Sequence, residues 1–282
     1  MQGGASVQVI THPRANWDYA KSLARASAGA IIFSLPLLMT MEMWWLGFYL
    51  DRPRLAQFIV VNLLVLVGLS RVSGFEPTVS WFDDLLDALS AYAIGVLASA
   101  ATLALFGIIV PGMAASEIVG KIAIQSVPAS FGAMLAAKQL GESAGPAEAR
   151  DRSSYLGQLF LMLVGALFLA FNVAPTEEML FISFRMTPWH SIALILVSIL
   201  LLHIFVYTVG FKGEKKPPGA TTFVRTLLRF SIVGYAIALL ASLYILWTFG
   251  RTEGVSTAQI ASMTAVLAFP ASIGAAIARL VA

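Results

Sequence analysis

The stretch SIALILVSILLLHIFVYTVGF, Ser191–Phe211, runs for 21 residues without an aspartate, glutamate, lysine or arginine. At about 1.5 Å per residue, a helix of this length crosses the roughly 30 Å hydrocarbon core of a bilayer. No period-two alternation runs through it, so it reads as a helix and not as a strand of a membrane barrel. The rest of the chain agrees with that reading. Of 282 residues, 59% are hydrophobic and 12% charged, and the mean hydropathy is +0.83. A soluble domain carries about 25% charged residues. There is too little polar surface here to cover the chain in water, which excludes a soluble enzyme and a disordered protein. The fold class is an all-α polytopic membrane protein, because a helix satisfies its own backbone in lipid.

Seven further apolar stretches have comparable length: Ala26–Leu50, Leu55–Leu69, Leu85–Val110, Ala115–Ala137, Tyr155–Ala174, Phe223–Phe249 and Thr257–Ala282. With Ser191–Phe211 they make eight spans, and an even number places both termini on one side. If that side is the inside, the inner segments hold 13 lysines and arginines against 4 in the outer ones, with Lys121 inside a span and uncounted. The positive-inside rule then favours N-in and C-in. The net charge of +3 speaks to this sidedness and does not point to nucleic acid. The first 20 residues contain no basic segment followed by an apolar run, so no cleavable signal is expected. The chain has no cysteine, which excludes disulfides, thiolate metal sites and cysteine nucleophiles. The expected location is a bacterial inner membrane, crossed several times and in contact with lipid. The basic loop FKGEKKPPGA, Phe211–Ala220, suits anionic headgroups.

The two halves resemble each other. Tyr92-Ala93-Ile94 and Leu97-Ala98-Ser99 recur as Tyr235-Ala236-Ile237 and Leu240-Ala241-Ser242, and Phe106-Gly107 recurs as Phe249-Gly250. Pro128-Ala129-Ser130 with Gly132-Ala133 recurs as Pro270-Ala271-Ser272 with Gly274-Ala275. Glu42-Met43 lies over Glu178-Met179. This implies an internal duplication: residues 1–25 form a cytoplasmic lead-in, 26–139 a first four-helix repeat, 140–154 a cytoplasmic linker and 155–282 a second repeat. An even repeat enters the membrane the same way twice, so the repeats are parallel, and a pathway is expected between them. The Ala-, Gly- and Ser-rich fourth and eighth spans suit close packing within the bundle or against a second copy.

The candidate chemistry lies in carboxylates. Glu42 sits about 16 residues into the first span, in the outer third of the hydrocarbon, and an intramembrane carboxylate is a functional residue by default. Its counterpart is the segment Asn172-Val173-Ala174-Pro175-Thr176-Glu177-Glu178. Pro175 disfavours helix at Ala174, and a break would free carbonyl oxygens beside Asn172, Thr176, Glu177 and Glu178. Carbonyls and carboxylates at a broken helix are the ligands of a hard cation or a proton relay. The same acids also suit a plain helix start at the water interface. Asp83, Asp84 and Asp87 open the third span; they read as ion-pair partners for Arg225 and Arg229, or as an acidic vestibule with Asp87 deepest. Glu117 and Lys121 form a favourable i,i+4 pair, either neutralising each other or gating. His12, His190 and His203 lack metal-ligand spacing, and no cofactor motif is present. The sequence therefore reads as a transporter or channel for a small inorganic cation or proton. Glu42, Glu177, Glu178, Asn172, Thr176 and Asp87 are its ion-binding candidates, and a non-catalytic scaffold is the alternative.

Two resemblances accompany this reading. With NVAPTEEMLF, Asn172–Phe181, and the Pro-Ala-Ser-x-Gly-Ala helix, the chain resembles a bacterial family of integral membrane proteins with no assigned activity. Ala174–Phe181 is similar to the first motif of the CAAX-protease and bacteriocin-processing family of intramembrane proteases. That resemblance implies Glu177 and Glu178 as the catalytic acids. The arginine expected four residues after the pair is missing, since Arg185 lies too far along. His203 lacks the family's preceding phenylalanine, and no histidine follows it.

Overall fold

The computed structural model describes residues 13–73, 80–139, 154–209 and 220–281. The expected linker of residues 140–154, apart from Ser154, and most of the basic loop lie outside the described residues. Helix α1 (Pro13–Leu38) is followed by a short α2 (Met41–Tyr49), then α3 (Arg52–Ser73), α4 (Trp81–Leu105) and α5 (Ala115–Gln139). The second half opens with α6 (Tyr155–Val173), a short α7 (Glu177–Arg185) and α8 (Pro188–Val209). Next come α9 (Ala220–Thr226), a π-helical segment (Leu227–Ile232), α10 (Val233–Thr248) and α11 (Thr257–Val281). Among the described residues seven helices are long and apolar enough to span a membrane, or eight if a bent pair counts as one. The bent pair is the first expected span: α1 and α2 meet at 88°.

Local chemistry accounts for the ends. Ser80 and Asp83 close a reciprocal capping box on α4. Both α4 and α10 stop where a glycine turns to positive φ, Gly107 at 69° and Gly250 at 73°. Helix α1 begins well before the apolar stretch, so residues 13–25 continue the helix of the first span.

Two helices organise the bundle. Of the apolar window of α5, 72% is buried, and of α11, 61%, against 22% for α8. Helix α5 packs against α1, α2, α3 and α4, while α11 packs against α6, α7, α8 and α10. Lipid tails are as apolar as leucine, so these contacts depend on close packing rather than on escape from water. A methyl group on Gly29 or Gly132 would collide with the opposite backbone, so α1 and α5 touch main chain to main chain. Gly165 and Gly274 bring α6 and α11 together in the same manner.

Between the halves lies a seam of rings. Phe58 of α3 meets Phe171 edge-on at 5.4 Å and Phe249 at 5.7 Å. Phe131 meets Phe171 at 5.5 Å, and Phe33 meets Phe168 at 5.5 Å. Phe58, Phe131, Phe171 and Phe249 are buried. Where a pathway was expected, these rings meet edge to face, an arrangement that packs favourably. At the end that carries the short helices, Arg54 pairs with Glu253 across the halves and lies over the Trp247 ring.

Candidate functional site

A helix that breaks inside a bundle must find partners for the carbonyls it frees. Here they are supplied. Leu37 O accepts from Thr40 N at 3.0 Å and from Gln125 Nε2 at 3.0 Å. Trp44 Nε1 donates to Leu38 O at 2.8 Å, and Thr40 Oγ1 reaches back to Pro36 O. In the second half Thr176 Oγ1 donates to Val173 O at 2.8 Å, and Arg251 Nη2 to Pro175 O at 2.7 Å. Asn172 is turned onto its own helix, donating to Phe168 O at 2.8 Å. Five carbonyls at the two breaks, Pro36 O, Leu37 O, Leu38 O, Val173 O and Pro175 O, thus accept from the chain's own donors.

The carboxylates differ between the halves. Glu42 lies half-buried in the first turn of α2. Glu177 and Glu178 are exposed in the first turn of α7, on a shallow groove of about 610 Å³ shared with Phe181 and Phe184. Among the described residues no hydrogen bond or ion pair joins Glu42 to Glu178, or either glutamate of α7 to a histidine. No cluster of three or more His, Asp or Glu side chains stands at metal-binding range among them. Asp84 is buried and pairs with Arg71 of the neighbouring α3 at 3.7 Å, a partner in its own half. Ser70 Oγ donates to Asp87 Oδ2 at 3.1 Å and lies 3.4 Å from Asp84 Oδ1.

The structure assembles a different constellation, centred on α5. Glu117, Lys121 and Gln125 recur every fourth residue and so share one face of the helix. Lys121 is only 8% exposed; its Nζ is 2.6 Å from Glu117 Oε1 and 3.9 Å from Met113 Sδ. Gln125 is fully buried and clamps Leu37 O, while its Oε1 has no partner among the described residues. Further along, Asn62 Nδ2 donates to Ser130 Oγ at 3.1 Å, and Asn62 Oδ1 is again buried without a partner. Ser99 of α4 adds a third such oxygen. Measured from Glu117, Lys121 lies about 6 Å along the axis, Gln125 about 12 Å and Ser130 about 20 Å. From Asn62 another eight residues of α3, about 12 Å lined by buried Val65, Leu66 and Leu69, lead to Ser70 and the aspartates. In depth these polar groups spread over about 32 Å, close to the thickness of a hydrocarbon core, but Gln125 faces α1 while Ser130 lies on the other side of α5, against α3 and α4.

Sequence reasoning singled out the Glu117–Lys121 pair and Asp87 but passed over Gln125, Asn62, Ser130 and Ser99. The repeat of polar residues at i, i+4 and i+8 in an apolar span was the available signal. The second half lacks the same file. At the offset that takes Pro128 to Pro270, Lys121 is replaced by Met263 and Gln125 by Leu267, both fully buried. That half has its own buried polar groups: His203 Nδ1 meets Ser231 Oγ at 2.8 Å inside the π-helical segment, under the Phe223 ring, Gln259 Nε2 donates to Ser183 Oγ at 2.9 Å, and Ser242 Oγ is buried without a partner among the described residues.

Apolar spans on the outside and polar side chains turned inward define a multi-pass integral membrane protein in contact with lipid. The chain belongs to the family described as "Putative integral membrane protein (DUF2391)", matched over residues 22–282. No curated protein and no solved structure is significantly similar to it.

Proposed function

We propose that this protein moves a small ion, a proton or an inorganic cation, across a bacterial inner membrane by way of the buried polar groups of its first half. One observation supports the reading: Lys121, Gln125, Asn62 and Ser130 are buried within the apolar first half, and Gln125 Oε1 and Asn62 Oδ1 have no partner among the described residues. Buried polar groups without partners are costly and are kept where water or an ion completes them. At the offset of the repeat the second half holds Met263 and Leu267 in place of Lys121 and Gln125, although it too has buried polar atoms without a partner among the described residues, Ser242 Oγ and His203 Nε2.

In this reading Glu117 stands at one mouth, with Glu42 on the short helix that packs against Lys121. Asp87 and Asp84 stand at the other. The apolar gap between Asn62 and Ser70 is the barrier that water must bridge during turnover. In this reading Glu177, Glu178, Asn172 and Thr176 serve the break and the helix start in the second half, where Asn172 and Thr176 bond to their own helix. Both termini lie inside, as the 13-to-4 distribution of basic residues favours. The like pairing of α1 with α5 and of α6 with α11 supports an origin by duplication, with the second repeat retained as scaffold.

The test is charge movement by the purified protein in liposomes under imposed proton, sodium and potassium gradients. A current should appear with at least one ion, and Gln125→Leu and Asn62→Leu should each lower it at least tenfold. Silence under all three gradients, or full current in both variants, refutes the proposal.

A further inference from the structure

We propose that the second half carries a binding site for an anionic phospholipid, built on Arg225 and Arg229 with Tyr155, at the end of the bundle opposite the short helices. The inference is independent of the transport reading, since it uses none of the buried groups of the first half. It starts from the π-helical segment, a kind of turn that recurs at functional sites. Arg229 lies inside that segment, and its carbonyl accepts from Tyr155 Oη at 2.9 Å. The guanidinium of the same residue lies over the Tyr155 ring, 4.9 Å from its centroid. Phe230 packs edge-on against that ring at 5.5 Å. One braced tyrosine therefore holds Arg229 by its backbone and by its charge. The ring covers one face of the guanidinium, while the N–H donors lie in its plane and stay open to an acceptor.

No carboxylate among the described residues pairs with Arg229 or Arg225. Asp84, one of the acids expected to do so, is taken by Arg71. Both arginines are exposed and stand four residues apart, so they share one face of the helix. A guanidinium fork matches phosphate oxygens two at a time, and two forks on one face suit a phosphodiester. Tyr155 is also the first residue of α6, and the N-terminus of a helix favours an anion beside it.

Depth and surroundings select a lipid over free phosphate. The arginines open the candidate span Phe223–Thr248, with Arg229 within about 9 Å of its first residue. Long basic side chains at that depth reach to the headgroup level. Val224, Leu228 and Ile232 are exposed on the same stretch and offer acyl chains an apolar wall. Phosphatidylcholine carries its own cation beside the phosphate, so a lipid with net negative charge is the better match.

The experiment follows thermal unfolding of the delipidated protein in neutral detergent, because a ligand that binds only the native state raises the midpoint. Phosphatidylglycerol, phosphatidylcholine and inorganic phosphate are added separately at equal concentration. Phosphatidylglycerol should raise the midpoint by several degrees, and the other two should not. Arg229→Gln and Arg225→Gln should each lose at least half of that shift. Arg25→Gln, which removes one positive charge from α1, should keep it. An equal shift with phosphatidylcholine or inorganic phosphate overturns the inference, as does a full shift in both Arg225→Gln and Arg229→Gln. A loss in Arg25→Gln as large as theirs overturns it too, since the effect is then one of general charge. None of these results bears on ion movement, and an absence of ion flux leaves the lipid site standing.

Discussion

Glu117 and Lys121 are close enough, at 2.6 Å, to share a charge-assisted hydrogen bond. Yet a buried ion pair is a poor stabiliser, because desolvation consumes most of the attraction. Its members are nonetheless bound to each other. Glu117→Gln alone strands the Lys121 ammonium in an apolar site and should lower stability by about 3 kcal/mol. Glu117→Gln with Lys121→Met should recover most of that loss, since the second half holds Gln259 and Met263 at the corresponding offset. Unfolding of the detergent-solubilised variants measures both values; equal stability of single and double variants would contradict the argument. The i,i+4 pair was legible in the sequence. The role of Gln125 was not, because its partner carbonyl, Leu37 O, is 88 residues away in the chain.

At the scale of elements, the bend after Leu38 and the continuity of the long helices need different explanations. Pro128 and Pro270 lie inside α5 and α11 without ending them; a transmembrane helix can tolerate proline because neighbours and hydroxyls satisfy what it frees. Pro36 likewise lies within α1, and the turn comes only at Met39-Thr40, where three donors collect the exposed carbonyls. The seventh span, expected as one regular helix, contains the π-helical segment Leu227–Ile232, where Arg229 O accepts from Tyr155 Oη at 2.9 Å. Helix contact is tightest at Gly29 and Gly132. Gly132→Ala places a methyl group against the Gly29 carbonyl, and overpacking of this kind costs about 2 kcal/mol. A thermal unfolding midpoint clearly below wild type is expected; an unchanged one would mean that α1 and α5 separate freely.

For the whole molecule, the two halves are tied by rings in the seam and by Arg54 with Glu253 at one end. Opening a pathway between them would require Phe58, Phe131 and Phe171 to unpack. Sidedness can be tested cleanly, since a chain with no cysteine makes any introduced thiol unique. Asp51→Cys, on the end with the short helices, should react with an impermeant maleimide on intact spheroplasts. Trp81→Cys, at the opposite end, should react only after permeabilisation. The reverse pattern would place the termini outside.

The sequence by itself determined the membrane class and the approximate spans, from Ser191–Phe211 outward. Burial in lipid requires each helix to satisfy its own backbone within one continuous apolar stretch, so the requirement is local and can be read locally. Only the tertiary structure decided which polar groups meet. Leu37 with Gln125, Asn62 with Ser130 and Arg54 with Glu253 are pairs from different helices. Whether a buried oxygen finds a partner depends on how those helices cross, and the crossings are set by glycine contacts and ring packing that no single stretch of sequence contains.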